Sequence, residues 1–227
     1  VDAGRIVVWI GRRTARRPAM DPARRAAIAR ITGGAVASLV AVELGAGLAE
    51  ALAPVPVVDV PVRLRGLPPA LDGFTLLQLT DLHAGGTIGR AHVAALVERA
   101  NATRPDAFVL TGDLVDGTVA ELAHVLEPLG ELRAPHGVYF VTGNHEYYFG
   151  VEDWLAYLAE RGIRVLRNER VVLARGDAAF DLAGIDDHSA AGYGRGHGAN
   201  LPAALAGRDP ARPVVLLAHQ PRQVHDA

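Results

Sequence analysis

Four apolar runs in this chain stop in short polar clusters, and this constrains the fold more than any other feature. Phe74–Leu79 runs into Thr80-Asp81-Leu82-His83. Ala107–Leu110 runs into Thr111-Gly112-Asp113, with Asp116 three residues further on. Val138–Val141 runs into Thr142-Gly143-Asn144-His145-Glu146, and Val214–Ala218 into His219. Each run has the length and content of a buried strand. Amphipathic helices separate the first three: Val93, Leu96, Val97 and Ala100 share one stripe, and Val119, Leu122, Leu126 and Leu129 another. Strand alternating with helix predicts an α/β fold with parallel strands. Ligands of such sheets sit at the carboxyl ends of the strands, so the four polar ends are expected to converge.

A third helix is predicted around Trp154, Leu155 and Leu158, stopped at Gly162. Shorter β-like runs follow at 163–166, 171–173 and 180–183. Residues 192–198 are glycine-rich and read as a loop. Tyr147 and Tyr148 are expected to pack their loop onto the sheet, with flanking a substrate as the alternative. Asp186-Asp187 reads as a strand-end turn that could line the site. His92, His124, His136, His188 and His225 read as non-functional.

The chain has no cysteine, so any metal must be held by imidazole, carboxylate or amide groups. Such oxygen and nitrogen donors suit Mn, Fe, Zn or Mg rather than a soft metal. In extended backbone, residues two apart point the same way, so Asp81 and His83 could serve one ion. Asp113 can lend an oxygen to each of two ions. Gly112 and Gly143 let the backbone turn tightly beside them.

Together, Asp81-Leu-His83, Gly112-Asp-Leu-Val-Asp-Gly117, Gly143-Asn-His-Glu146 and the lone His219 resemble the calcineurin-like metallophosphoesterase family, over about residues 74–220. The fuller strings, including Gly143-Asn-His-Glu-Tyr-Tyr148, resemble its membrane-associated or exported bacterial branch. The resemblance implies a four-layer α/β/β/α sandwich and a phosphoester substrate. It also implies two divalent metal ions, with Asp81, His83 and Asp113 on the first and Asp113, Asn144 and His219 on the second. A hydroxide bridging the ions would attack phosphorus. His145, held by Asp116, would protonate the leaving oxygen or stabilise the transition state. The family carries a further Gly-His-x-His motif after the lone histidine. It does not occur before Ala227, so the domain is expected to be missing its C-terminal part and to hold its second metal weakly; His197 or His188 is the substitute imidazole otherwise.

The N-terminus differs in character. Its first 30 residues hold eight arginines and two aspartates, while Glu43 is the single charge between Ile31 and Leu48. Residues 1–19 read as a basic leader of uncertain status, preceding the chain's one methionine, Met20. Residues 20–60 read as a signal or membrane-anchor segment with a Pro-rich linker, and residues 61–227 as the metallophosphoesterase domain. Basic residues on the cytoplasmic side would put the domain outside the membrane. Glu43 weakens a stable span by roughly 2.5 to 3.5 kcal/mol, and the alternative is an ordinary soluble helix, capped by Asp21, in a cytoplasmic protein. A formal net charge of −2 gives no case for a nucleic-acid partner. Two functions remain open: an active hydrolase, or a non-catalytic metal-binding or interaction module on the same fold. The retained His145 favours the first, because a scaffold needs no proton donor.

Overall fold

The computed structural model describes residues 21–51 and 55–226. The first of these stretches is a helix, α1 (Pro22–Ala51). The Asp21 carboxylate accepts from the Ala23 N–H at 3.1 Å, satisfying one of the free donors of the first turn. Thirty helical residues span about 45 Å, and the helix is long and apolar enough to cross a membrane. Its apolar side chains are exposed.

From residue 55 onward the chain builds two sheets. The first joins β1 (Leu76–Leu79), β2 (Ala107–Leu110), β3 (Val138–Phe140) and β4 (Ile163–Val165) in that order, all parallel. The helices between them are α2 (Arg90–Ala102), α3 (Val119–Leu126), α4 (Asn144–Tyr148) and α5 (Val151–Glu160). All four residues of β2 are buried, as a central strand covered on both faces requires. The second sheet joins β5 (Glu169–Arg175), β6 (Ala178–Gly184) and β7 (Val214–Leu217), with α6 (Leu201–Ala204) between β6 and β7.

Two cores follow from strand alternation. Phe108, Leu110, Val138 and Phe140 face α2, α3 and α5, packing on Val93, Val97, Leu126, Trp154 and Leu158. Val109, Tyr139 and Val141 face the second sheet, packing on Val171, Leu173, Phe180 and Leu182. Ala183, on the outer face of β6, packs with Ala204 of α6. The layers are therefore helices, sheet, sheet, helix: the α/β/β/α sandwich.

β5 and β6 pair antiparallel. Only Gly176 and Asp177 separate them, and a two-residue connection cannot make a parallel crossover. The elements depart from the sequence reading at two places. The second helix ends at Leu126 and continues as a 3-10 turn over Glu127–Glu131. Pro128 has no N–H to continue the α ladder. The residues after Gly143 form a short helix instead of a loop.

Candidate metal centre

β1, β2, β3 and β7 bring their polar ends to one rim. The Asp113 carboxylate is its centre and is 4% exposed. Its Oδ2 lies 3.4 Å from His219 Nε2, 3.7 Å from His83 Nε2 and 3.8 Å from His145 Nε2. Asp81 Oδ1 is 4.0 Å from His83 Nε2. Two groups of donors each lie within 4.8 Å of one another: His83, Asp113 and His145, and Asp81, Asp113 and His219. Asn144 opens α4, half-buried, directly after Gly143.

The backbone at this rim is strained. Asp81, His83 and Asp113 have φ of 53°, 45° and 54°, three of the five left-handed non-glycine residues among those described. Aspartate and histidine tolerate this region better than most residues, yet it still costs on the order of 1 kcal/mol each. Asp81 and His83 therefore converge through two left-handed kinks, not through the extended alternation read from the sequence. Gly112 and Gly143 are stacked backbone to backbone. A Cβ on Gly112 would overlap the Gly143 nitrogen, and one on Gly143 would overlap the Asp113 carboxylate.

Glu146 holds this geometry. It is 1% exposed, and its carboxylate accepts from the backbone N–H of Gly143 at 2.7 Å, Leu114 at 2.8 Å and Asp113 at 3.1 Å. The first bond closes the start of α4; the other two fix the Asp113 loop from across the sheet. Burial pushes the Glu146 carboxyl above its usual range, against the pull of the three donors. Sequence reasoning gave this residue no role. Its available signal was glutamate three residues after a helix-opening glycine, a capping-box spacing.

Hydrogen bonds also set the imidazoles. The His219 ring meets the Thr111 carbonyl through Nδ1 at 2.8 Å, which turns Nε2 toward Asp113. One oxygen of Asp116 meets Nδ1 of both His83, at 2.8 Å, and His145, at 2.7 Å. When the His83 or His145 ring is neutral and donates its Nδ1–H to Asp116, its Nε2 is left with a free electron pair. Burial works to depress the His219 pKa, but the Asp113 carboxylate, the Thr111 carbonyl and the Asp81 charge raise it to about 9. Burial likewise opposes ionisation of Asp113, and the His219 and His145 donors outweigh it, holding the carboxyl below its usual range. The rim is thus a set of carboxylate and imidazole donors built to surround positive charge.

Other residues singled out from sequence make different contacts. Asp186 is buried in a two-pronged pair with Arg167, both bonds 2.9 Å. Asp187 is buried and accepts from Gln220 and Ser189. His197 meets Arg167 at 2.9 Å and stands edge-on to the Tyr147 ring. His188 is exposed. Tyr147 packs inward as expected, and burial pushes its hydroxyl up to about 12. Tyr148 does not: it is 54% exposed, its ring 5.1 Å from that of His145.

The calcineurin-like phosphoesterase model matches residues 74–226. The chain belongs to that family. A Danio rerio transmembrane protein with metallophosphoesterase domain is 40% identical over 186 residues, covering 80% of this chain and 43% of that one. An uncharacterized Helicobacter pylori metallophosphoesterase is 34% identical over 178 residues, covering 78% and 46%. The chain thus spans less than half the length of these phosphoesterase relatives. Among solved structures, a 5'-nucleotidase precursor from Thermus thermophilus aligns at a TM-score of 0.42 with 18% identity, over 64% of this chain and 36% of that one.

Proposed function

We propose that the chain is a metal-dependent phosphoester hydrolase working with two divalent ions. The observation that carries this reading is the Asp113 carboxylate, buried and faced by three imidazole Nε2 atoms within 3.8 Å. Asp81, His83 and Asp113 would hold one ion, and Asp113, Asn144 and His219 the other. The donor set fits such ions: hard oxygen and borderline nitrogen atoms, on backbone kept close by Gly112 and Gly143. When bound, two ions make water a stronger nucleophile and offset charge on the phosphoryl oxygens.

The chain's own groups supply the rest. Asp116 accepts from the His145 Nδ1–H, which turns Nε2 toward the centre and stabilises the imidazolium when Nε2 is also protonated. A protonated Nε2 donates to the oxygen of the departing alcohol. Asp116 orients His83 through the same oxygen, so ligand and proton donor share one support.

A specific observation favours a second reading for His145. Its Nε2 groups with His83 and Asp113 at ligand-like separations, so it could be a metal ligand. Metal content of His145→Ala decides between the two: unchanged stoichiometry supports the proton donor, loss of an ion supports the ligand.

The function itself is tested by metal analysis and hydrolysis of phosphomonoesters and phosphodiesters after reconstitution with Mn, Fe, Zn or Mg. Two bound ions and metal-dependent turnover are expected. Tight metal binding without turnover of any ester would leave the non-catalytic module. Membrane association is supported by α1 and by relatives named transmembrane proteins. The proposed arrangement is a signal or anchor in α1 with the domain outside the cytoplasm. Residues 20–53 should then carry a reporter to or across the membrane; a reporter left in the cytoplasm rejects it.

A further inference from the structure

The rim has a second wall, made of rings rather than ligands. Tyr148, 54% exposed, lies against His145 at 5.1 Å, and Tyr193, 45% exposed, lies 6.2 Å from Tyr148 at 45°. Buried Tyr147 supports Tyr193 from beneath, ring to ring at 5.4 Å.

Two half-exposed rings side by side present a local aromatic surface beside the centre. They are also held rather than loose. Tyr193 ends a 3-10 turn whose first residue, Ala190, is fully buried. Asp187 accepts from the Ser189 N–H at 2.8 Å on one side of that turn. On the other, Arg167 meets His197 at 2.9 Å, the Gly198 N–H donates to Asp186 at 3.2 Å, and Asn168 donates to the Gly198 carbonyl at 2.8 Å. Arg167 is itself clamped to buried Asp186. The glycine-rich loop is therefore anchored on both flanks, with Tyr193 turned outward between the anchors.

We infer that Tyr148 and Tyr193 form the leaving-group subsite and select phosphoesters whose departing alcohol carries a planar aromatic ring. The inference rests on the hydrolase reading, because it takes His145 as the group that hands a proton to the leaving oxygen. Whatever is attached to that oxygen must then lie on the His145 side of the centre, where Tyr148 is the neighbouring surface. Two ring faces inclined to each other accept a flat ring by stacking on one and meeting the edge of the other. Stacking on such a wall tolerates many rings, because each has a π-face.

The test uses benzyl and ethyl phosphoesters, as monoesters and diesters, because the two alcohols depart with similar difficulty. The benzyl-to-ethyl ratio of kcat/KM is measured for wild type, Tyr148→Ala, Tyr193→Ala and Tyr148→Leu. The ratio should fall about tenfold in each alanine variant. It should fall nearly as far in Tyr148→Leu, which keeps apolar bulk without a ring. Ratios within twofold of wild type in both alanine variants overturn the inference, and a leucine variant matching wild type overturns the claim for an aromatic group. Binding of benzylphosphonate and ethylphosphonate to the metal-loaded protein gives a readout without turnover. If wild type hydrolyses none of the esters, the hydrolase reading fails. The phosphonates then still decide the wall: preference for benzyl that the alanine variants lose supports it, and equal binding overturns it.

Discussion

The parallel strands of the first sheet carry polar residues at both ends, and the two ends treat them differently. At the amino ends, Asp106 accepts from the Thr75 N–H at 2.7 Å, the Thr75 hydroxyl at 3.0 Å and Arg175 at 2.8 Å, and its own carbonyl takes the His136 N–H. Arg175 comes from β5, so the cluster ties the second sheet to the first with its acid matched by a base. At the carboxyl ends, Asp81, Asp113 and Asp116 face His83, His145 and His219, and among the described residues no arginine pairs with these three carboxylates. Three of those six residues also sit in left-handed backbone. One end is closed on itself, while the other gathers donor atoms that could hold a metal ion, and the strained backbone lies there.

The sharpest way to break this contrast is at Asp113. Asp113→Asn should abolish turnover and empty at least one metal position, read by metal analysis beside an ester assay. Two retained ions with normal turnover would remove Asp113 from the centre of the site. Next in size is His145→Ala, expected to slow hydrolysis by roughly 10² to 10⁴. The loss should shrink for nitrophenyl esters, whose leaving group needs no proton; equal losses across leaving groups would argue for a purely electrostatic or ligand role.

Glu146→Gln probes the support beneath the rim. Its amide would turn one NH₂ toward backbone N–H groups that now find carboxylate oxygens. A loss on the order of 1–3 kcal/mol in denaturant unfolding is expected, together with weaker metal binding. Stability and metal affinity unchanged would mean that the left-handed residues hold themselves.

Asp106→Asn is the smallest change and the control from the other end. It should cost about 1 kcal/mol of stability and leave kcat/KM as it was. Burial acts to raise the Asp106 carboxyl, but its Thr75 and Arg175 donors outweigh it and hold it below the usual range. Its contribution is therefore present above the ordinary carboxylate value near 3.8 and lost as the pH falls through the lower folded value. Wild type and variant should converge in stability at acid pH. A variant with impaired turnover would mean that the amino ends are not independent of the site.

These two ends were unequally legible in the sequence. Asp81, His83, Asp113 and His219 stood out because each follows an apolar run, and topology alone brings strand ends together. Asp106 and Arg175 did not, since they are 69 residues apart in the chain and neither sits in a motif. Glu146 was visible as a letter but its work was not, because two of its three donors lie 32 and 33 residues earlier. The shared Asp116 oxygen is of the same kind: the Asp116–His145 partnership came with the family resemblance, while the Asp116–His83 bond spans 33 residues. Local pattern also missed the end of the second helix before Pro128, where one covalent feature overrode an apolar stripe.

The stacked Gly112 and Gly143 bear on how such a site could be altered. Because Gly143 occupies the space a Gly112 side chain would need, and Asp113 the space a Gly143 side chain would need, the loops after β2 and β3 are geared together, and neither can be re-aimed without carrying the other. Mutational libraries aimed at those loops would mostly return unfolded or metal-free protein. The freedom to change what the site accepts lies instead in segments that touch the rim without building it. The stretch from Ala190 to Gly198 is the clearest, anchored at its ends and open in the middle. A catalyst of this design would be expected to diversify by exchanging that rim segment over an immobile pair of glycines.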